Sequence, residues 1–124
     1  MTATLKKILV IDDDPGIQRL LTKQFEANQF NVVTASDGLE GIAKLDDERP
    51  DIIILDIIMT GLNGQNFVKV IKQYDAFRFI PIIVLTQRDD LAHLFAAGDF
   101  NAFMVKPCEP QKLLDKVREF FSPK

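Results

Sequence analysis

Apolar and polar positions along the chain repeat in five rounds, each with a short apolar run followed by a segment of helical spacing. Two of the runs, at residues 8–11 and 52–55, contain only Ile, Leu and Val, which is typical of strands buried on both faces of a parallel sheet. Repeated strand–helix units predict an α/β domain whose single parallel sheet is covered by helices on both faces. The predicted strands are residues 7–12, 30–35, 51–56, 82–86 and 102–105.

The segments between and after the strands predict five helices. Asp14 can cap the first helix, and Pro15 suits its first position because proline loses no needed donor there. The fourth helix is predicted to be only about two turns long, because the chain between the fourth and fifth strands is short. The residues named for the second and fifth helices are predicted to face inward. The apolar residues at helical spacing are Ile17, Leu20, Leu21 and Phe25 in the first helix, Leu39, Ile42, Ala43 and Leu45 in the second, Phe67, Val68 and Ile71 in the third, Leu91, Leu94 and Phe95 in the fourth, and Leu113, Leu114, Val117, Phe120 and Phe121 in the fifth.

Composition and charge narrow the class of protein. The 124 residues are predicted to form one domain, covering residues 1–124, that is long enough to bury a core. The net charge of −3 gives no overall attraction to nucleic acid or to an anionic membrane. The sequence shows no signal peptide and no apolar stretch of membrane-spanning length. The single cysteine, Cys108, cannot form an internal disulfide, which indicates a reducing compartment and predicts a cytoplasmic location.

Acidic residues follow directly after the two most apolar runs. Asp12, Asp13 and Asp14 come after the first run, and Asp56 comes after the second. An unpaired charge in an apolar environment carries a large desolvation penalty, but at the carboxyl ends of parallel strands these side chains can meet in the crevice where such sheets bind ligands. Clustered carboxylates repel one another, so together they suggest a hard divalent cation held by oxygen ligands.

The residues at the predicted strand ends resemble those of the receiver domain of two-component response regulators, and the resemblance covers essentially the whole chain. Each matching residue is weak evidence alone, but their order and their placement at strand ends are specific. The resemblance implies a flavodoxin-like three-layer sandwich with strand order 2-1-3-4-5 and five flanking helices. The matching residues are Asp12, Asp13, Asp56, Thr86, Lys106, Pro107 and, at the position of a switch aromatic, Phe103.

The resemblance implies a phosphoryl-accepting site in which Asp56 is the nucleophile and forms an aspartyl phosphate. Asp13 and Asp56 would bind Mg²⁺ (or Mn²⁺) directly, and Asp12 would act largely through water. The backbone carbonyl of Ile58 would be a further metal ligand. The chain is expected to be a signalling domain rather than an enzyme. The only reactions that it would catalyse are its own phosphorylation and dephosphorylation.

Two more residues would contact the phosphoryl group, namely Lys106 through its ammonium and Thr86 through its hydroxyl. Thr86 and Phe103 would move together and remodel the face formed by the fourth helix, the fifth strand and the fifth helix. The donor would be a histidine kinase or a phosphotransfer protein, and the remodelled face would bind a downstream protein, with a homodimer left open. No DNA-binding or enzymatic output domain is expected, so the chain is either a stand-alone regulator or one domain of a longer protein.

Two alternatives stay open. A Mg²⁺-dependent phosphohydrolase would use Asp12 and Asp14 as nucleophile and acid/base, and could also use Thr86 and Lys106, but it needs a further acidic pair after the lysine. An interaction module that works without phosphorylation is the other alternative, and the complete set of Asp, Thr and Lys argues against it. The phosphohydrolase lacks its acidic pair, because after Lys106 the sequence offers only the isolated Glu109, Asp115 and Glu119.

Three features depart from the family pattern. Thr60 stands where proline is usual, Gln87 stands where a small residue is usual, and the segment 86–98 is shorter by nearly one helical turn. None of them removes a chemical group, so they concern the rate of phosphorylation and the output surface rather than the reaction. His93 is expected to be exposed or partly packed, and Cys108 to be a small packed residue.

Overall fold

The computed structural model of the chain describes residues 5–56, 64–86, 100–106 and 109–121, with only the backbone described at Gly64, Gln65 and Thr86. Strands and helices alternate along the first half of these residues. The strands are β1 (Lys7–Ile11), β2 (Asn31–Ala35), β3 (Ile52–Leu55), β4 (Ile82–Thr86) and β5 (Ala102–Val105). The helices are α1 (Pro15–Glu26), α2 (Gly38–Glu48), α3 (Gly64–Ile71) and α4 (Pro110–Phe121).

All five strands form one parallel sheet in the order β2-β1-β3-β4-β5, which confirms the predicted sheet and its strand order. The described part contains four helices rather than the predicted five, because the segment predicted to form the fourth helix falls within residues 87–99, outside the described ranges. The predicted fifth helix is therefore α4 here. No helix in the described part is long and apolar enough to cross a membrane.

Alternate residues of the central strands face opposite sides of the sheet and build two cores. Leu9 and Ile11 belong to the core shared with α2 and α3, whereas Ile8 and Val10 belong to the core shared with α1 and α4. Helices therefore cover both faces, which confirms the predicted three layers. Because residues 8–11 of β1 and all of β3 are buried on both sides, each of these segments is a continuous apolar run in the sequence.

Some strand boundaries differ from the prediction. Phe30 precedes β2 instead of beginning it, because Gln29 takes a left-handed conformation with φ of 67° and turns the chain after α1. Phe30 is nevertheless a core residue, with its ring edge-on to that of Phe25 at a centroid distance of 5.8 Å. Asp12 and Asp56 lie just beyond β1 and β3 rather than within them. The acidic residues therefore directly follow the last residues of the two strands.

The inward face of α2 also differs from the prediction. Leu39 is 65% exposed and Ala43 is exposed too, so the prediction that both face the core is wrong. Leu45 is buried as predicted and Ile42 is partly buried against the core, and the helix also buries Gly38 and Gly41. A Cβ atom added to Gly41 would lie 2.7 Å from Cδ1 of Ile11, so the missing side chain is what allows α2 to approach the sheet this closely.

We expect Gly41→Ala to lower the free energy of unfolding by about 1 kcal/mol, because overpacking of the core outweighs the helix propensity gained. Ala43→Gly, at an exposed position of the same helix, measures the propensity difference alone, which is about 1 kcal/mol. Urea unfolding of both variants provides the comparison. If Gly41→Ala stabilised the protein by as much as Ala43→Gly destabilised it, the core would accept the methyl group without strain.

Candidate active site

Parallel pairing places Asp12 and Asp56 side by side at the carboxyl edge of the sheet. Ile11 of β1 is paired with Leu55 of β3, so the residues that follow them leave the sheet together. The N–H of Asp56 donates to the carbonyl of Ile11 at 2.9 Å, which extends the pairing by one residue. The two aspartates are only 3% and 8% exposed, so their carboxylates need a compensating charge.

Lys106 supplies that charge from the end of β5. Its Nζ lies 2.7 Å from Oδ2 of Asp12 and 3.2 Å from Oδ2 of Asp56, so one ammonium bridges both carboxylates. Because β4 lies between β3 and β5, the lysine side chain reaches across the end of β4 to make these contacts. Burial alone would lower the pKa of Lys106, but its hydrogen bond to Asp12 and the charge of Asp56 outweigh burial and raise this pKa above its ordinary value.

Asp13 completes an acidic cluster with the two buried aspartates. One carboxylate oxygen from each of Asp12, Asp13 and Asp56 lies within 4.8 Å of the other two, although Asp13 itself is exposed. Carboxylate oxygens are the ligands that Mg²⁺ prefers, and the exposed side of the cluster leaves room for the waters that this ion retains. The residues present therefore fit the divalent cation that the sequence suggested.

Asp14 caps α1, as predicted. Its Oδ1 accepts the N–H of Gly16 at 2.8 Å, and Pro15 follows in the first turn of the helix. The N–H of Asp14 donates to Oδ1 of Asp12 at 2.9 Å, which closes the turn between β1 and α1. The carboxylate of Asp14 is therefore occupied in holding the helix and is not a member of the acidic cluster, which disfavours a role as catalytic acid or base.

Sequence reasoning missed Gln18, which contacts the acidic turn from α1. Its Nε2 lies 2.6 Å from the carbonyl oxygen of Asp12 and 3.3 Å from both the carbonyl oxygen of Ala35 and Oγ of Ser36. No motif marks this residue, since a half-buried glutamine is ordinary in an amphipathic helix. Its partner atoms become neighbours only when β1 and β2 pair.

The other predicted site residues are described only in part. Thr86 ends β4 beside Val105, so its backbone lies at the same edge as the acids, while its side chain and all of Ile58 lie outside the described part. Phe103 is partly buried against the core shared with α2 and α3, with its ring centroid 5.6 Å from that of Phe100. The roles of these residues in metal binding, phosphoryl contact and switching stay predictions. Also outside the described residues are Thr60, Gln87, His93, Pro107 and Cys108.

The fold and the site together define a class of protein. A parallel 2-1-3-4-5 sheet with an acidic cluster and a bridging lysine at its carboxyl edge is a flavodoxin-like domain of the response-regulator type. The chain belongs to the response regulator receiver domain family, whose model matches residues 8–118. It is therefore a phosphoacceptor signalling domain of two-component systems, as the resemblance at the strand ends implied.

Solved structures of response regulators share this fold. The chemotaxis response regulator CheY4 of Vibrio cholerae has a TM-score of 0.87 and 30% sequence identity, covering 94% of this chain and 98% of that one. The response regulator protein TrrA of Thermotoga maritima, solved in complex with Mg(2+)-BeF, has a TM-score of 0.83 and 29% identity, covering 93% of this chain and 98% of that one.

Curated relatives are longer than this chain. The alkaline phosphatase synthesis transcriptional regulatory protein PhoP of Bacillus subtilis is 35% identical over 115 residues, which are 91% of this chain and 47% of PhoP. The DNA-binding response regulator MtrA of Mycolicibacterium smegmatis is 29% identical over 120 residues, which are 95% of this chain and 51% of MtrA. The chain thus spans about half the length of the curated relatives it matches.

Proposed function

We propose that Asp56 accepts the phosphoryl group, from a histidine kinase or a phosphotransfer protein, with Mg²⁺ held by Asp12, Asp13 and Asp56. The observation that carries this proposal is the ammonium of Lys106 between two buried carboxylates, 2.7 Å from Asp12 and 3.2 Å from Asp56. A buried carboxylate with a cation beside it is the arrangement that phosphoryl transfer to aspartate needs, because two anions must approach each other.

In the transfer, a carboxylate oxygen of Asp56 would attack the phosphorus and form an acyl phosphate. The bond between the phosphorus and the donor would break at the same time, and the leaving group would depart with that electron pair, as an imidazole from a phosphohistidine or a carboxylate from a small acyl phosphate. Positioning and charge neutralisation make up most of the catalysis of such a step. Lys106, whose Nζ lies 3.2 Å from Oδ2 of Asp56, would pair with a phosphoryl oxygen on that residue.

A bound Mg²⁺ would supply further charge neutralisation at the same place. The acidic cluster supports this part of the proposal, because its three carboxylate oxygens lie within 4.8 Å of one another. The similar protein TrrA was solved in complex with Mg(2+)-BeF, which also supports a magnesium site. The hydroxyl of Thr86 and the backbone carbonyl of Ile58 would complete the contacts to the phosphoryl group and the metal.

The phosphorylated state would be recognised by another protein at the face that includes β5 and α4. Thr86 and Phe103 are proposed to connect the site to this face, since they lie in adjacent strands, with Thr86 paired to Val105 and Phe103 paired to Val84. Two relatives are named as transcriptional or DNA-binding regulators, and this chain spans about half their length. Control of transcription is therefore proposed for a whole protein that carries this domain.

Labelling of the chain with acetyl phosphate in millimolar Mg²⁺ tests the proposed function. We expect one acid-stable, base-labile phosphoryl group per chain, located by peptide mass spectrometry on the peptide that contains Asp56, and no label when the metal is chelated. A phosphorylated histidine phosphotransfer protein should label the same peptide. A label on the peptide with Asp12 and Asp14 would favour the phosphohydrolase, and no label from either donor would favour the phosphorylation-independent module.

A further inference from the structure

The side-chain amide of Gln18 joins α1 to the ends of two strands. Its Nε2 lies 2.6 Å from the carbonyl oxygen of Asp12 and 3.3 Å from that of Ala35. The carbonyl of Ala35 also accepts the N–H of Asp12 at 3.0 Å. Both backbone polar groups of Asp12 are therefore held, the N–H by the end of β2 and the carbonyl by α1.

Gln18 also holds the other end of the acidic turn. Its backbone N–H donates to the carbonyl of Asp14 at 3.1 Å in the first turn of α1. Asp14 in turn donates its own N–H to Oδ1 of Asp12 at 2.9 Å. Asp13 therefore lies between two residues whose backbones are both bonded to the same glutamine.

We propose that Gln18 is a positioning residue for the divalent cation site, because it fixes the backbone that carries Asp13 toward Asp12 and Asp56. The inference rests on the proposed function, of which the cation is a part. Asp13 is the exposed member of the acidic cluster, so burial does not hold it in place, and the other two carboxylates repel it. A neutral amide cannot offset this repulsion by charge, so Gln18 acts by limiting the movement of the backbone.

The expected effect follows from what Gln18 touches. Loss of a group that orients a metal ligand typically lowers the metal affinity by about 10–100-fold. We expect the lower end of this range, about tenfold, because Asp14 still closes the turn when Gln18 is changed. The fold should be affected little, because Gln18 is only half-buried and α1 keeps its cap.

Gln18→Met tests the proposal, since methionine keeps the unbranched shape of glutamine but has no N–H to donate. Gln24→Met is the matched control, because it makes the same substitution at another half-buried glutamine of α1, about 9 Å farther along the helix. Calorimetric titration with Mg²⁺ measures the Kd, and thermal unfolding with and without Mg²⁺ measures the Tm. We expect Gln18→Met to raise the Kd about tenfold and to reduce the Mg²⁺-induced rise in Tm. Its metal-free Tm should lie within a few degrees of that of Gln24→Met, because only the hydrogen bonds of the Gln18 amide are lost. Gln24→Met should keep the wild-type Kd.

A wild-type Kd in Gln18→Met, or an equal rise of the Kd in both variants, would overturn the positioning role. If Gln18→Met does not fold, Gln18→Asn takes its place, because asparagine keeps a polar amide but is one methylene too short to reach the carbonyl of Asp12. A wild-type Kd in Gln18→Asn, or an equal rise of the Kd in Gln18→Asn and Gln24→Met, would then overturn the positioning role. A wild-type protein that binds no Mg²⁺ would instead overturn the cation site itself, and with it the proposed function.

Discussion

Asp56→Asn is expected to take up no phosphoryl group from acetyl phosphate at any Mg²⁺ concentration. Asparagine has nearly the shape of aspartate, but its amide lacks the anionic oxygen that would attack the phosphorus. The fold should persist, because the N–H of residue 56 can still donate to the carbonyl of Ile11 and Lys106 keeps its 2.7 Å contact with Asp12. Removal of one of three clustered carboxylates also relieves repulsion, so the metal-free variant should be as stable as the wild type or more stable.

Asp14→Asn is the matched control for this experiment. It makes the same chemical change in the acidic turn, and asparagine caps helices about as well as aspartate, so labelling should stay at the wild-type level. Intact-protein mass spectrometry before and after treatment with acetyl phosphate measures the phosphorylated fraction. Full labelling of Asp56→Asn, or labelling that is lost only in Asp12→Asn, would contradict the role of Asp56 and favour the phosphohydrolase, whose nucleophile would be Asp12.

The meeting of Asp12 and Asp56 could be predicted because it depends on few physical choices. A strand buried on both faces needs a continuous apolar run, so the two Ile-rich runs mark central strands of a parallel sheet. Parallel strands end at the same edge, so residues that follow two such strands converge there. The hydrogen bond from the N–H of Asp56 to the carbonyl of Ile11 is the contact that this reasoning anticipates.

The inward face of α2 could be predicted only in part, with Leu45 buried as expected, because hydrophobic spacing carries no information on how closely a helix approaches the sheet. Leu39 and Ala43 fit an apolar stripe, yet both are exposed. The face that packs includes Gly41, whose lack of a side chain leaves room for Cδ1 of Ile11. A glycine contributes nothing to an apolar stripe, so the residue that decides the packing is the one that the pattern omits.

Contacts between polar groups that are distant in the sequence could not be predicted either. The position of Lys106 at a strand end was recognised from the family resemblance, but its bridge between Asp12 and Asp56 depends on how far it extends across the end of β4. Gln18 had no signal at all, because its role depends on the carbonyl groups of two strands that only the folded sheet brings together.

Lys106→Met is expected to lower the free energy of unfolding of the metal-free protein by about 3–5 kcal/mol, the typical cost of removing one partner from a buried ion pair. The side chains of Lys106, Asp12 and Asp56 are only 12%, 4% and 10% exposed, so two buried carboxylates would lose the cation that they share. Methionine keeps the unbranched stem of lysine, so the decrease in the free energy of unfolding measures the effect of removing the charge. Lys112→Met, at an exposed position of α4, is the control and should change stability by less than about 0.5 kcal/mol.

The dependence of this loss on Mg²⁺ and on pH separates the ion pairs from packing. Mg²⁺ should restore part of the stability, because an ion held by the three carboxylates would replace the missing charge.

The pKa of Lys106 is raised in the folded protein, so the contribution of Lys106 to stability is fully present below the ordinary lysine pKa and is lost as the pH rises through the raised folded value. The difference between the wild type and Lys106→Met should therefore stay constant from neutral to mildly alkaline pH and shrink only in strongly alkaline solution. Urea unfolding across this pH range measures the difference. If the variant were as stable as Lys112→Met at neutral pH without Mg²⁺, the pairs with Asp12 and Asp56 would contribute nothing to the fold, and Lys106 would be retained for the phosphoryl group alone.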